Sequence, residues 1–306
     1  MSLALLFPGQ GSQHVGMGRL LAEAEPAAAR VLRAADEILG FPLSTLMAEG
    51  PEDELTATRN AQPALLAHSI AALRVVEDQL PTVGMGAGHS LGEFSAHVAA
   101  GTLSFEDALR AVRVRGELMH EAGQARPGAM AAVLGLDDHT VEDICTRVES
   151  GVCVAANFNS AGQVVLSGDE AAVEDAMALA KDVGAKMVVR LNVSGAFHSP
   201  LMEPAAEGLR DHLQAVSFTD PRFPVYANAT AEPVTSGEVA RELLIKQLTA
   251  PVCWATSVSR MVTHGADRFL ELGPGRVLAK LNRRNARGVP TSSLGEPSDL
   301  DAWEAA

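Results

Sequence analysis

Gly88-His89-Ser90-Leu91-Gly92 is the stretch that decides how this chain is read. It has the form G-x-S-x-G, in which a serine sits on a sharp turn between a strand and a helix. The glycines two residues before and after it leave room for backbone that a β-carbon would block. The flanks fit such a turn. Val83 to Ala87 is strand-like, and Glu93 to Ala100 reads as a short helix stopped by Gly101. Ser90 is therefore expected at the mouth of a sheet, with the N–H of Leu91 at a helix N-terminus facing an oxyanion. The pentapeptide occurs by chance in many chains, so the rest of the sequence must supply its context.

At 306 residues, the chain can bury a large core as one big domain or two coupled ones. With 47% hydrophobic and 20% charged residues it reads as an ordinary globular protein, and with 4% aromatics its core must rest on Ala, Leu and Val. The apolar start ends at Pro8 and no later run is long enough to span a bilayer, so a cytoplasmic protein without a membrane partner is expected. Cys145, Cys153 and Cys253 form no C-x-x-C pair, which argues against a disulfide frame or thiolate zinc site. A net charge of −14 argues against nucleic acid as a partner.

Ala4 to Phe7 reads as a strand, broken by Pro8-Gly9-Gln10-Gly11-Ser12-Gln13. No Gly-Lys-Ser/Thr follows, and His14 stands where a dinucleotide fingerprint needs its third glycine, so an oxyanion- or substrate-facing loop fits better than a nucleotide loop. Helical periodicity runs to about Leu80, with Asn60 as cap of a long segment and His68 as a partly buried residue within it. Ser104 and Asp107 form a capping box for a further helix. On that helix Phe105, Ala108, Val112 and Met119 share a face with Arg115 in its middle, while Arg110 and Arg113 lie opposite with Glu106 and Glu117. A buried guanidinium needs a counter-charge, either an internal carboxylate or the carboxylate of a substrate. Spacing alone leaves both open.

Residues 127–193 change pattern to β-α-β-β-α-β, the order of a ferredoxin-like unit inserted into the larger domain. The chain returns with Ser194-Gly195-Ala196-Phe197-His198-Ser199-Pro200. Later, Phe223 to Tyr226 and Arg268 to Leu272 read as strands, Glu238 to Leu248 and Trp254 to His264 as helices, and Gly295 to Ala306 as a polar, loosely held end.

A serine nucleophile needs a general base, and nine histidines are available. His89 projects differently from the turn and suits support of the elbow; His97 faces another way along its helix; His14 sits in a loop that could line the cleft. His198 occupies a loop at the C-terminal end of a strand, where open α/β sheets gather their sites, and is the candidate base. No motif identifies an acid to orient it, so a backbone or side-chain carbonyl is the alternative.

Taken together, Pro8 to Gln13, Gly88 to Glu93, Arg115-Gly116, Gly195 to His198, Gln247 to Val252 and Glu271 to Gly275 occur in the order seen in malonyl-CoA:acyl-carrier-protein transacylases. The chain resembles that family from about Leu3 to Arg287. The resemblance implies an α/β fold: a large α/β-hydrolase-like domain with a parallel central sheet (1–126 and 194–306) plus the ferredoxin-like subdomain (127–193). It implies that Ser90 attacks the malonyl thioester, His198 takes its proton, and Gln247 supplies a carbonyl that orients His198. The N–H groups of Gln10 and Leu91 would hold the oxyanion and Arg115 the malonyl carboxylate. The acyl-serine would then pass to the phosphopantetheine thiol of acyl carrier protein, a ping-pong transfer from malonyl-CoA without metal or cofactor. Phe197 resembles the malonyl-selecting form of its motif in related acyltransferase domains. Phe94, His97 and the glycine-rich strand Val83-Gly84-Met85-Gly86 depart from the common pattern.

An editing thioester hydrolase of the same fold is the competing enzyme reading, and Arg115 argues against it. A patatin-like hydrolase needs an Asp-Gly context that the chain lacks. A catalytically silent docking module would require every motif to be a relic. Carrier proteins of this kind are acidic, so docking needs a local basic patch: Lys280, Arg283, Arg284 and Arg287, or Lys181, Lys186 and Arg190. A monomer is the default expectation.

Overall fold

Every side chain of Leu3–Phe7 is buried, as in a strand covered on both faces at the middle of a parallel sheet. The computed structural model describes residues 2–193 and 195–304. Its strands are β1 (Leu3–Phe7), β2 (Val83–Gly88), β3 (Gly128–Leu134), β4 (Cys153–Ser160), β5 (Gln163–Asp169), β6 (Met187–Arg190), β7 (Val225–Tyr226), β8 (Pro233–Val234), β9 (Arg268–Leu272) and β10 (Thr291–Leu294). The central sheet has the order β10-β9-β1-β2-β7-β8. It is parallel from β10 to β7, and β8 adds an antiparallel edge by pairing with β7. The parallel core is the expected one; β8 and β10 are short strands that the sequence reading did not contain.

Alternation along β1 separates the two faces. Leu3, Leu5 and Phe7 join the larger core with Leu65, Ile70 and Val112. Ala4 and Leu6 face the other way, onto Met85, Trp254 and Phe269. The register pairs Phe7 with Gly88 and Leu6 with Glu271, so the carboxyl ends of β1, β2 and β9 finish level. The Gly9-Gln10 loop and the elbow therefore share one rim of the sheet, where open α/β sheets bind ligands.

The helix Thr58–Val76 begins two residues before Asn60, with Ala57 as its cap residue. Asn60 is not the cap; its side chain bonds the Glu54 carbonyl and Arg113 instead. Pro63 lies inside this helix and cannot donate to the carbonyl of Arg59. Arg113 Nη1 fills that gap, donating to the Arg59 oxygen at 3.1 Å. Ser104 does cap the helix Phe105–Ala125, accepting the Asp107 N–H. Arg110 and Arg113 pair along its wet face with Glu106 and Glu117.

Residues 128–190 form a second, wholly antiparallel sheet of order β4-β5-β3-β6, covered by the helices Asp138–Arg147 and Glu170–Asp182. Order and connectivity are ferredoxin-like. Val133, Ile144, Leu166 and Val173 build its own core. The far end of β4 joins the larger body: Phe158 N–H donates to the Val252 carbonyl and Val252 N–H to that of Ala156.

The polar end, expected to be loosely held, carries regular structure through residue 304. The helix Pro297–Glu304 follows β10, and Leu300 and Trp303 pack against the main core. Ser194 and Ala305-Ala306, which the sequence reading placed in the returning segment and the tail, lie outside the described residues.

Candidate active site

Ser90 stands at φ 51°, a left-handed backbone that a non-glycine residue adopts only when its surroundings hold it there. Gly88 and Gly92 make the turn possible. A β-carbon at Gly88 would overlap the backbone of Gly92, and one at Gly92 would overlap the Phe7 carbonyl. Asn228, just beyond β7, clamps the turn from the side. Its Oδ1 accepts the Ser90 N–H at 2.6 Å, and its Nδ2 donates to the Gly88 carbonyl at 2.7 Å. The sequence reading missed Asn228; its place at the carboxyl end of a strand beside β2 was the available signal.

His198 also has a positive φ, 58°. Its Nε2 lies 2.8 Å from Ser90 Oγ, and its Nδ1 lies 2.8 Å from the backbone oxygen of Gln247. A carbonyl only accepts, so Nδ1 carries the proton and Nε2 is the bare acceptor for the serine hydroxyl. Burial, aided by the nearby Arg115 cation, lowers the His198 pKa to about 3. The imidazole is therefore neutral at physiological pH.

Arg115 is 1% exposed. Its Nη1 donates to Gln62 Oε1 at 2.7 Å, and its Nη2 donates to Gln247 Oε1 at 2.9 Å and Ser90 Oγ at 3.3 Å. These partners are amide and hydroxyl oxygens, not a carboxylate. Burial lowers its pKa to about 10, with the Glu93 carboxylate opposing the shift, so the guanidinium remains charged. The geometry thus presents a fixed cation beside the candidate nucleophile.

Gln247, fully buried, ties these groups together. Its Nε2 donates to the Ser90 carbonyl at 2.9 Å and to Glu93 Oε2 at 2.7 Å. Glu93 Oε2 also accepts the Asn228 N–H at 3.0 Å. Burial raises the Glu93 pKa to about 7 despite these bonds and Arg115.

A cavity of about 390 Å³ opens over Ser90, lined among others by Gln10, Leu91, Arg115, Phe197 and Leu281. The N–H groups of Gln10, in the loop after β1, and Leu91, at the N-terminus of the elbow helix Gly92–Ala99, belong to residues on its wall. Gln10 is steadied by its Nε2 donating to Thr58 Oγ1. Phe197 is 5% exposed. β4 supplies Asn157 and Asn159 from the small sheet, and Asn159 Oδ1 meets His89 Nε2 at 2.8 Å. That contact ties the His89 ring to the small sheet.

The other histidines lie elsewhere. His14 is exposed and not on the cavity wall; its Nδ1 is 3.5 Å from the Ser12 carbonyl. His68 is completely buried rather than partly so, donates from Nε2 to the Gly295 carbonyl, and has its pKa lowered to about 4 by burial. His97 is buried with both ring nitrogens unpartnered among the described residues, and its pKa falls to about 3.

The helix Val277–Asn285, absent from the sequence reading, turns Val277 and Leu281 to the cavity and leaves Lys280, Arg283 and Arg284 exposed, with Arg287 just beyond. On the small subdomain, Arg190 is bound to Glu170 and Glu174.

A family model described as acyl transferase domain matches residues 4–294. The chain is 46% identical over 301 residues to the malonyl CoA-acyl carrier protein transacylase of Bacillus subtilis, covering 98% of this chain and 95% of the relative. It is 43% identical to that of Escherichia coli K12, covering 98% and 97%. Among solved structures, a malonyl-transacylase in complex with its type II PKS acyl-carrier protein superposes with a TM-score of 0.96 at 39% identity, over 100% of both chains. An acyl carrier protein S-malonyltransferase from Vibrio cholerae gives 0.96 at 40%, over 99% of this chain and 100% of the other.

Proposed function

The chain belongs to the acyl transferase domain family, among its malonyl CoA-acyl carrier protein transacylases, and from that premise we propose that it moves a malonyl group from malonyl-CoA to the phosphopantetheine thiol of acyl carrier protein. The observation that carries the substrate is Arg115: a buried, forked cation whose Nη2 reaches the serine hydroxyl suits an acyl group ending in a carboxylate.

Ser90 Oγ attacks the thioester carbonyl as its proton passes to His198 Nε2. The N–H groups of Gln10 and Leu91 receive the oxyanion. Collapse breaks the C–S bond, and the departing CoA sulfur takes the proton from His198. In the second half, the carrier thiol gives its proton to His198, attacks the malonyl-serine, and Ser90 leaves with that proton. The Gln247 carbonyl holds the imidazole tautomer in the role that a carboxylate has in other triads. No metal or cofactor is needed for these steps. Phe197 crowds an α-methyl group, worth about 1–3 kcal/mol of discrimination. The enzyme acts as a cytoplasmic monomer, and the acidic carrier docks on Lys280, Arg283, Arg284 and Arg287. That face is favoured because its helix borders the cavity, whereas Arg190 of the alternative patch is already paired.

Intact-protein mass after brief exposure to malonyl-, methylmalonyl- or acetyl-CoA tests the reading. Wild type should gain a malonyl adduct that carrier protein discharges, Arg115→Ala a weaker one, and Ser90→Ala none. Rapid discharge by water alone would indicate a hydrolase, and an adduct on Ser90→Ala would mean a different nucleophile.

A further inference from the structure

Glu93 is a buried carboxylate beside the nucleophile that the transfer steps leave without a task. It lies one helical turn past the nucleophile, 1% exposed. Its two oxygens differ. Oε2 accepts from Gln247 Nε2 and from the Asn228 N–H, while Oε1 is buried with no partner among the described residues. A proton added to Oε1 would break neither bond of Oε2. The same Gln247 amide that donates to Glu93 accepts from Arg115, so anion and cation are joined through one side chain.

We propose that Glu93 is the resident counter-charge of Arg115, and that it makes the site responsive to acyl groups bearing a carboxylate. In the empty site, Arg115 balances Glu93. A malonyl carboxylate that pairs with Arg115 puts a second negative charge into the same buried network. Two carboxylates near one cation cannot both remain ionised cheaply, so Glu93 takes a proton from water on Oε1 as the malonyl group enters. A neutral acyl group makes no such demand. This rests on the malonyl reading above.

The charged group facing Glu93 is Arg115, from the helix Phe105–Ala125. The segment after β7 and the end of the helix Gly237–Lys246 offer the neutral Asn228 and Gln247. His97 on the same helix, His68 on Thr58–Val76 and His198 across Ser90 are held neutral by burial. The raised pKa of Glu93 puts its ionisation near pH 7, within reach of a rate measurement.

The experiment is the ratio of kcat/KM for malonyl-CoA to that for acetyl-CoA from pH 6 to 9, which cancels the pH dependence of Ser90 and His198. In wild type the ratio should fall by up to about tenfold per pH unit above the ionisation of Glu93. In Glu93→Gln it should stay within about twofold. A variant that keeps the wild-type slope, or a wild type without one, overturns the proposal. Should Glu93→Gln fail to fold, proton uptake by wild type decides it. In weak buffer at pH 7, acylation by malonyl-CoA should take up about half a proton and acetyl-CoA none; equal uptake with both overturns it. If malonyl-CoA leaves no adduct on wild type, the malonyl reading itself fails. An adduct with a flat ratio removes only the role of Glu93.

Discussion

An imidazole can receive the proton of Ser90 only while neutral, and His198 is neutral because burial and the Arg115 cation hold its pKa down to about 3. The working form of a lowered base is the one above its folded pKa. Acylation by acetyl-CoA, which adds no charge beside Arg115 and Glu93, should therefore stay flat from pH 8 down to 5. A rate falling with a midpoint near 6.5 would show that His198 titrates as an exposed imidazole. At this scale, much of the site is legible in sequence. Ser90 declares itself because its constraints are local, two glycines and a strand-to-helix turn. Arg115 declares its buried position through helical phase, but not its purpose. Its partners Gln62 and Gln247 lie 53 and 132 residues away, and no spacing rule joins them.

The elbow is an element whose strain is held from outside. Asn228 satisfies both the Ser90 N–H and the Gly88 carbonyl, so Asn228→Ala leaves one buried and one half-buried backbone group unpaired. It should lose about 2–4 kcal/mol of stability in denaturant unfolding and slow the formation of acyl-serine in a stopped-flow burst. Unchanged burst kinetics would mean that the turn keeps its shape unaided. The elbow helix carries the opposite case in His97, whose ring nitrogens find no partner among the described residues. Replacing an unsatisfied buried polar group by an apolar one of similar size is favourable, so His97→Leu should gain about 1–2 kcal/mol in the same unfolding experiment. A loss would reveal a hydrogen bond that the ring makes in solution. Elements with strong alternation or phase, such as β1 and the helix Phe105–Ala125, are readable from sequence. β10 and the helix Val277–Asn285 are not: the strand is four residues, mostly Ser and Thr, and the helix is strongly polar.

For the whole molecule, charge and pH act through few groups. The chain carries a net −14 and should repel an acidic carrier on average. Docking on the exposed cations beside the cavity predicts that reversing Arg283 and Arg284 to Glu raises the KM for carrier protein several-fold, roughly 1 kcal/mol or more, without changing acylation by malonyl-CoA. An unchanged carrier KM removes that face. Stability should fall with acid. His68, His97 and His198 have folded pKa values of about 4, 3 and 3, below the ordinary 6.5. The unfolded chain therefore binds more protons, and stability is lost as pH drops from 6.5 towards 3. Glu93, raised from 4.5 to about 7, acts oppositely, its contribution lost as pH rises through 7. His89 is lowered by burial as well, and Glu271 is raised alongside Glu93; four histidines outweigh these two carboxyls, so unfolding free energy should drop steadily from pH 6.5 to 5, by about 1–3 kcal/mol per pH unit near pH 5.5. A flat profile there would contradict the burial of these rings. By itself, the sequence determined what depends on neighbours along the chain: the elbow, the alternation of elements that marks the inserted subdomain, the buried phase of Arg115, and the motif series that carries the family resemblance. Tertiary structure alone decided what depends on distance through space. It seated His198 on Ser90, turned the Gln247 backbone to the imidazole and its amide to Arg115, and brought Asn228 and Glu93 together from 135 residues apart. Buried polar groups must find partners wherever the packed chain offers them, and that choice is made only when the sheet rim closes.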